Sequence, residues 1–73
     1  MADVILSVPD MSCEHCERTV RGALGPLEGV RSVTVDLRAK QVRVAYDERL
    51  VSVDRMKDAL RQEEYPVASS TQA

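Results

Sequence analysis

Cys13 and Cys16 are the only two cysteines of this chain, and they stand in the run Met11-Ser12-Cys13-Glu14-His15-Cys16. A strand pattern precedes the run and a helix pattern follows it. One thiol therefore sits on a loop and the other on the opening turn of a helix. The unpaired N–H groups and the positive dipole end of that turn favour thiolate over thiol. Two thiolates so placed can converge on one soft metal ion or carry out dithiol–disulfide exchange. Soft thiolates select Cu(I), and more weakly zinc or mercury-like ions, over hard cations.

Ligand supply narrows the metals. A structural zinc site takes four protein ligands, whereas this chain offers two cysteines and a single histidine, His15, which lies between them. A helical turn separates the direction of His15 from that of the thiols. Cu(I) accepts two thiolates in a near-linear arrangement and stays open to a third thiol from another molecule, which suits delivery better than storage. Haem attachment would require a histidine after the second cysteine, where Glu17 stands. A thioredoxin- or glutaredoxin-like site stays open as an alternative, because its cysteine pair also follows a strand and opens a helix. This chain is shorter than a thioredoxin and lacks Trp.

Short elements must position the pair. Residues 3–8 fit a strand with Val4, Leu6 and Val8 on one face, stopped by Pro9-Asp10. Cys16, Val20, Ala23, Leu24 and Leu27 trace the inner stripe of a helix that Gly25-Pro26 ends. Residues 30–37 and 41–46 alternate, with Val33, Val35 and Leu37 and then Val42, Val44 and Tyr46 facing inward, and Arg38-Ala39-Lys40 links them as a hairpin. Ser52 N-caps a second helix whose inner side runs through Val53, Met56, Ala59, Leu60 and Glu63. Pro66 bars its continuation, Val67 to Ser69 form a last strand, and residues 70–73 are expected to be a disordered tail after a domain spanning 1–69. The order βαββαβ, with one apolar face per strand, predicts an α+β ferredoxin-like sandwich: a four-stranded antiparallel sheet with two helices on one face.

Composition sets the class. At 73 residues the chain is one small domain that buries only roughly 60% of its unfolded surface. With two tyrosines and no Phe or Trp, the core must be aliphatic. A formal net charge of −2 with mixed signs argues against a nucleic-acid partner and against a polybasic membrane anchor. No apolar run could span a bilayer and no secretory signal opens the chain, so it reads as cytoplasmic, where paired cysteines are metal-binding or redox-active rather than structural disulfides.

The run Met11-x-Cys13-x-x-Cys16, in a chain of this length and patterning, resembles the heavy-metal-associated domain family. That family includes the small cytoplasmic copper chaperones of the CopZ type, N-terminal domains of copper-transporting P-type ATPases and periplasmic mercury-binding proteins. The resemblance covers roughly residues 3–69. It implies Cys13 and Cys16 as Cu(I) ligands, Met11 as a side chain packed beneath the loop, and Tyr65 as the aromatic group that approaches the metal in bacterial copper chaperones. His15 matches a histidine found in many of them; it is either a solvent-facing residue at a helix start or a group that tunes the thiolates or caps copper in a dimer. Zinc-exporting relatives tend to carry Asp where Ser12 stands, which favours Cu(I). Asp10 departs from the family's usual Gly and bears on loop geometry.

The implied function is Cu(I) delivery by ligand exchange to a copper-transporting P-type ATPase, with a copper-responsive regulator as a second partner. No substrate bond is made or broken, so the expectation is not an enzyme. The chain is expected to be a monomer without copper and to dimerise with it. Mercury binding within the same family is one alternative, a glutaredoxin-like oxidoreductase another, and a detached ATPase domain a third. Met1 and the tail ending at Ala73 favour a free-standing protein.

Overall fold

Alternating valines and leucines turn one face of each central strand into a continuous apolar surface, and that surface organises the computed structural model, which describes residues 2–72. The elements run β1 (Ala2–Ser7), α1 (Glu14–Leu24), β2 (Val30–Asp36), β3 (Gln41–Tyr46), α2 (Val53–Gln62) and β4 (Ser69–Gln72). They form one antiparallel sheet in the order β2-β3-β1-β4. The register pairs Val4 with Val44 and Leu6 with Val42. On the other side of β3, Val33 meets Val44 and Val35 meets Val42. These residues stack on the face that the helices cover. Val20 and Leu24 of α1 and Met56 and Leu60 of α2 close the core, all fully buried.

The helix ends follow local chemistry. Ser52 caps α2, its hydroxyl accepting from the Arg55 N–H at 3.2 Å. The Asp36 carboxylate accepts from the N–H groups of Arg38 and Ala39 at 3.0 and 3.1 Å, ending β2 one residue before the sequence pattern does and opening the hairpin. Gly29 holds φ +97°, and a Cβ there would stand 2.7 Å from the Leu50 Cβ, so the chain enters β2 through a position only glycine fills.

Two sequence expectations are corrected. The last strand is Ser69–Gln72 rather than Val67 to Ser69, so residues 70–72 of the expected disordered tail are paired; Ala73 lies outside the described residues. Ser69, Ser70, Thr71 and Gln72 stand opposite Ser7, Leu6, Ile5 and Val4. The free edge of β1 supplies backbone partners, and an edge strand held in this way needs no apolar alternation. Gln72 adds a side-chain bond, its Nε2 donating to the Tyr46 hydroxyl at 3.0 Å. Glu63, placed by periodicity on the inner side of α2, is instead its exposed C-cap.

Gly22 lies exposed in the interior of α1, and a Cβ there would meet nothing within 4 Å. Gly22→Ala is therefore expected to stabilise the domain by about 1 kcal/mol through helix propensity alone. A urea titration that shows no upward shift of the midpoint would contradict this.

Candidate metal centre

The loop after β1 delivers the cysteines through a tight turn. The Met11 N–H donates to the Val8 carbonyl at 3.2 Å, closing a turn over Val8–Met11 with Pro9 at its second position, where a fixed φ suits the geometry. The Met11 side chain then points inward and is fully buried. Cys13 takes an extended backbone (φ −154°, ψ 172°) at the N-cap of α1, and its carbonyl accepts from the Glu17 N–H at 3.2 Å. Its side chain makes no capping bond, which leaves the sulfur free to turn toward Cys16.

The two sulfurs stand 3.5 Å apart. Spacing of i, i+3 at a helix start places them on one side of the first turn. Their exposures differ: Cys13 faces solvent whereas Cys16 is 7% exposed. With sulfur–metal bonds of ~2.3 Å, two thiolates lying on opposite sides of one ion are ~4.6 Å apart, so a small opening of the Cys13 side chain admits an ion between them.

The Cys16 thiol is held at about 6, against an ordinary 9.0. A hydrogen bond from the Tyr65 hydroxyl is the largest cause, followed by the Ser12 backbone N–H; burial opposes both, and Cys13 adds further bonds from its thiol and its N–H. The reciprocal effect pushes the Tyr65 phenol up to about 12, first through its bond to Cys16 and then through burial and the charges of Cys16, Cys13 and Asp10. Near neutral pH the site is thus a thiolate facing a phenol that keeps its proton.

Tyr65 reaches this position through the end of α2. Glu64 adopts the left-handed conformation (φ 67°), and its N–H donates to the Arg61 carbonyl at 3.0 Å, whereas the Tyr65 N–H reaches back to Leu60 at 2.9 Å. This is a Schellman ending, which reverses the chain sharply. The sequence carries no glycine there to announce it.

The sign of the pH dependence follows. Between pH 6 and 9 the folded state binds fewer protons at Cys16 than the unfolded chain, so stability of the reduced, metal-free protein rises across that window and is lost as pH falls back to 6. Tyr65→Phe removes the largest cause, so the stability gained between the two limits is expected to shrink and the thiolate absorbance to appear at higher pH. Identical thiolate titrations in the two proteins would contradict this.

The remaining predicted residues are less engaged. Ser12 is exposed and contributes its N–H. His15 is exposed, and its carbonyl accepts from the Thr19 hydroxyl at 3.0 Å. Among the described residues no group of three or more His, Cys, Asp or Glu side chains is placed to hold one ion, so the structure does not bring His15 to the thiols. Arg21 pairs with Glu17 at 3.5 Å in an exposed i,i+4 contact of little energetic weight. Sequence reasoning missed Lys40, which touches the loop at the Pro9 carbonyl (3.3 Å); neither periodicity nor motif marks it.

The family model for the heavy-metal-associated domain matches residues 5–66. The chain belongs to that family. The copper chaperone CopZ of Staphylococcus haemolyticus is 48% identical over 67 residues, which is 92% of this chain and 98% of that protein. A solved CopZ metallochaperone superposes with a TM-score of 0.87 at 44% identity, covering 90% of this chain and 98% of its own. A chain of the solved Atx1–Cu(I)–Ccc2a complex superposes with a TM-score of 0.80 at 26% identity, covering 99% of this chain and 94% of its own. This heavy-metal-associated domain therefore has the ferredoxin-like fold expected from its patterning, and the glutaredoxin-like alternative falls away. No helix among the described residues is long and apolar enough to cross a membrane.

Proposed function

We propose that this heavy-metal-associated domain is a cytoplasmic Cu(I) chaperone that holds its cargo between Cys13 and Cys16 and passes it by ligand exchange to a copper-transporting P-type ATPase. The observation that carries the reading is the pairing of an exposed thiol with a buried thiolate 3.5 Å away, in a chain nearly half identical to a protein named a copper chaperone. The asymmetry gives each residue a role. Cys16, already ionised near neutral pH, takes the ion without losing a proton first. Cys13, in solvent, is the ligand an incoming thiolate from the partner displaces, through a three-coordinate intermediate that breaks no substrate bond. The Tyr65 hydroxyl and the Ser12 N–H stabilise the charge left on Cys16 as the ion departs.

Met11 supports the loop from inside the core. His15 is a surface residue in this reading, free to meet a partner or to face a second copy when copper bridges two molecules. In this reading the chain is a monomer without copper, and copper held at the thiol pair, where Cys13 is exposed, bridges two copies.

X-ray absorption of the protein loaded with Cu(I), together with competition against a Cu(I) chelator, tests the assignment. Two or three sulfur neighbours and no nitrogen are expected. A first shell containing nitrogen, or binding too weak to compete with the chelator, would sink it.

A further inference from the structure

Two residues other than glycine hold the left-handed backbone conformation among those described, Lys40 at φ 56° and Glu64 at φ 67°. Glu64 is explained by the Schellman ending of α2. Lys40 is the last residue of the β2–β3 link, where Gly or Asn would take the same conformation at lower cost. A strained position occupied by a long cationic side chain invites the question of what that side chain does.

Both ends of Lys40 grip the loop that leads to the cysteines. Its carbonyl accepts from the Val8 N–H at 2.9 Å. Its ammonium donates to the Pro9 carbonyl at 3.3 Å. Val8 and Pro9 are the first two residues of the turn that Met11 closes onto Val8. Lys40 thus holds that turn at the N–H of its first residue and the carbonyl of its second. Glycine or asparagine would supply the first contact and not the second. The turn in turn sets where the Ser12 N–H and Cys13 arrive at the Cys16 sulfur.

We propose that Lys40 is a positioning residue for the thiolate pair, its ammonium holding the Pro9 carbonyl so that the turn presents Ser12 and Cys13 to Cys16 in a fixed arrangement. The inference deepens the reading of Cys13 and Cys16 as ligands and rests on it for its functional consequence. The structural part is testable without copper.

Amide hydrogen exchange of the reduced, metal-free protein reads the clamp directly, because loss of a contact raises the population of the locally open loop. In Lys40→Met, exchange at Met11, Ser12 and Cys13 is expected to rise about fivefold, with core amides of β1 and β3 unchanged, and Lys40→Arg is expected to restore the wild-type rates. Lys40→Gly separates the clamp from the turn: it relieves the left-handed backbone, so global stability should hold or rise while the loop still exchanges faster. Loaded with Cu(I), Lys40→Met and Lys40→Gly should release it to a chelator faster by a similar factor, and Lys40→Arg at the wild-type rate. Wild-type loop exchange in Lys40→Met, or faster exchange that Lys40→Arg fails to reverse, overturns the proposal. Since exchange is measured without copper, that outcome is separate from whether the two cysteines are the ligands.

Discussion

Replacing both Cys13 and Cys16 by serine is expected to lower Cu(I) affinity by about four orders of magnitude while leaving the fold intact. Structural metal sites built from four such ligands derive about 10–16 kcal/mol from them, or roughly 3 kcal/mol each. At about 1.4 kcal/mol per factor of ten, one lost thiolate costs about a hundredfold and two about ten-thousandfold. Serine cannot substitute, because its oxygen is a hard donor that stays protonated at neutral pH. The fold should survive because Cys13 is exposed and Cys16, though buried in the core, is replaced by a side chain of nearly the same size. The single variants should not be equivalent in pH dependence. Cys13→Ser leaves the thiolate already formed at Cys16, whereas Cys16→Ser removes the group that Tyr65 and the Ser12 N–H were stabilising. Chelator competition at several pH values checks both statements; retention of tight binding in the double variant would mean that the ion is held elsewhere.

Met11→Ala is expected to act on stability rather than on coordination. The side chain is fully buried, and truncating a buried methionine to alanine costs about 2–5 kcal/mol, the spread reflecting how far the surroundings collapse. A domain of 73 residues holds roughly 4–11 kcal/mol in total, so the variant loses a large share of its margin. The midpoint of thermal unfolding should fall by at least about 10 °C. Its two sulfur ligands remain, so a Cu(I)-loaded sample should still show a two-sulfur shell and regain part of the lost stability by mass action. Calorimetry with and without copper decides the matter. An unchanged melting midpoint would contradict the packing argument; a folded variant without two-sulfur binding would give Met11 a part in coordination.

Much of this was legible in the residues, for reasons that differ by element. Val4, Leu6 and Val8 against Val42, Val44 and Tyr46 could be read because the sheet has one covered face, so inward positions must alternate. Ser52 and Gly25 could be read because helix ends are solved by nearby atoms. β4 could not. Its residues are Ser, Ser, Thr and Gln, all exposed, and what makes them a strand is the row of backbone groups on β1. Glu63 was misplaced for a related reason: periodicity carries on past Gln62, the last helical residue, whereas Glu63 is already the C-cap and the left-handed Glu64 turns the chain away.

The sequence by itself determined the cysteine pair and its setting, since three residues of helix bring two sulfurs to one side whatever the rest of the chain does. It also determined the elements, because their apolar periods are local. Only the tertiary structure decided how the pair differs chemically. The strand order β2-β3-β1-β4 places β1 between β3 and β4, so the link entering β3 and the loop entering β4 end beside the loop that leaves β1. The first brings Lys40 to Pro9 and the second brings the Tyr65 hydroxyl to Cys16. Neither contact has a signature in residue spacing, because both arise from which strands are neighbours. The second holds Cys16 as a thiolate, while Cys13 stays open to solvent.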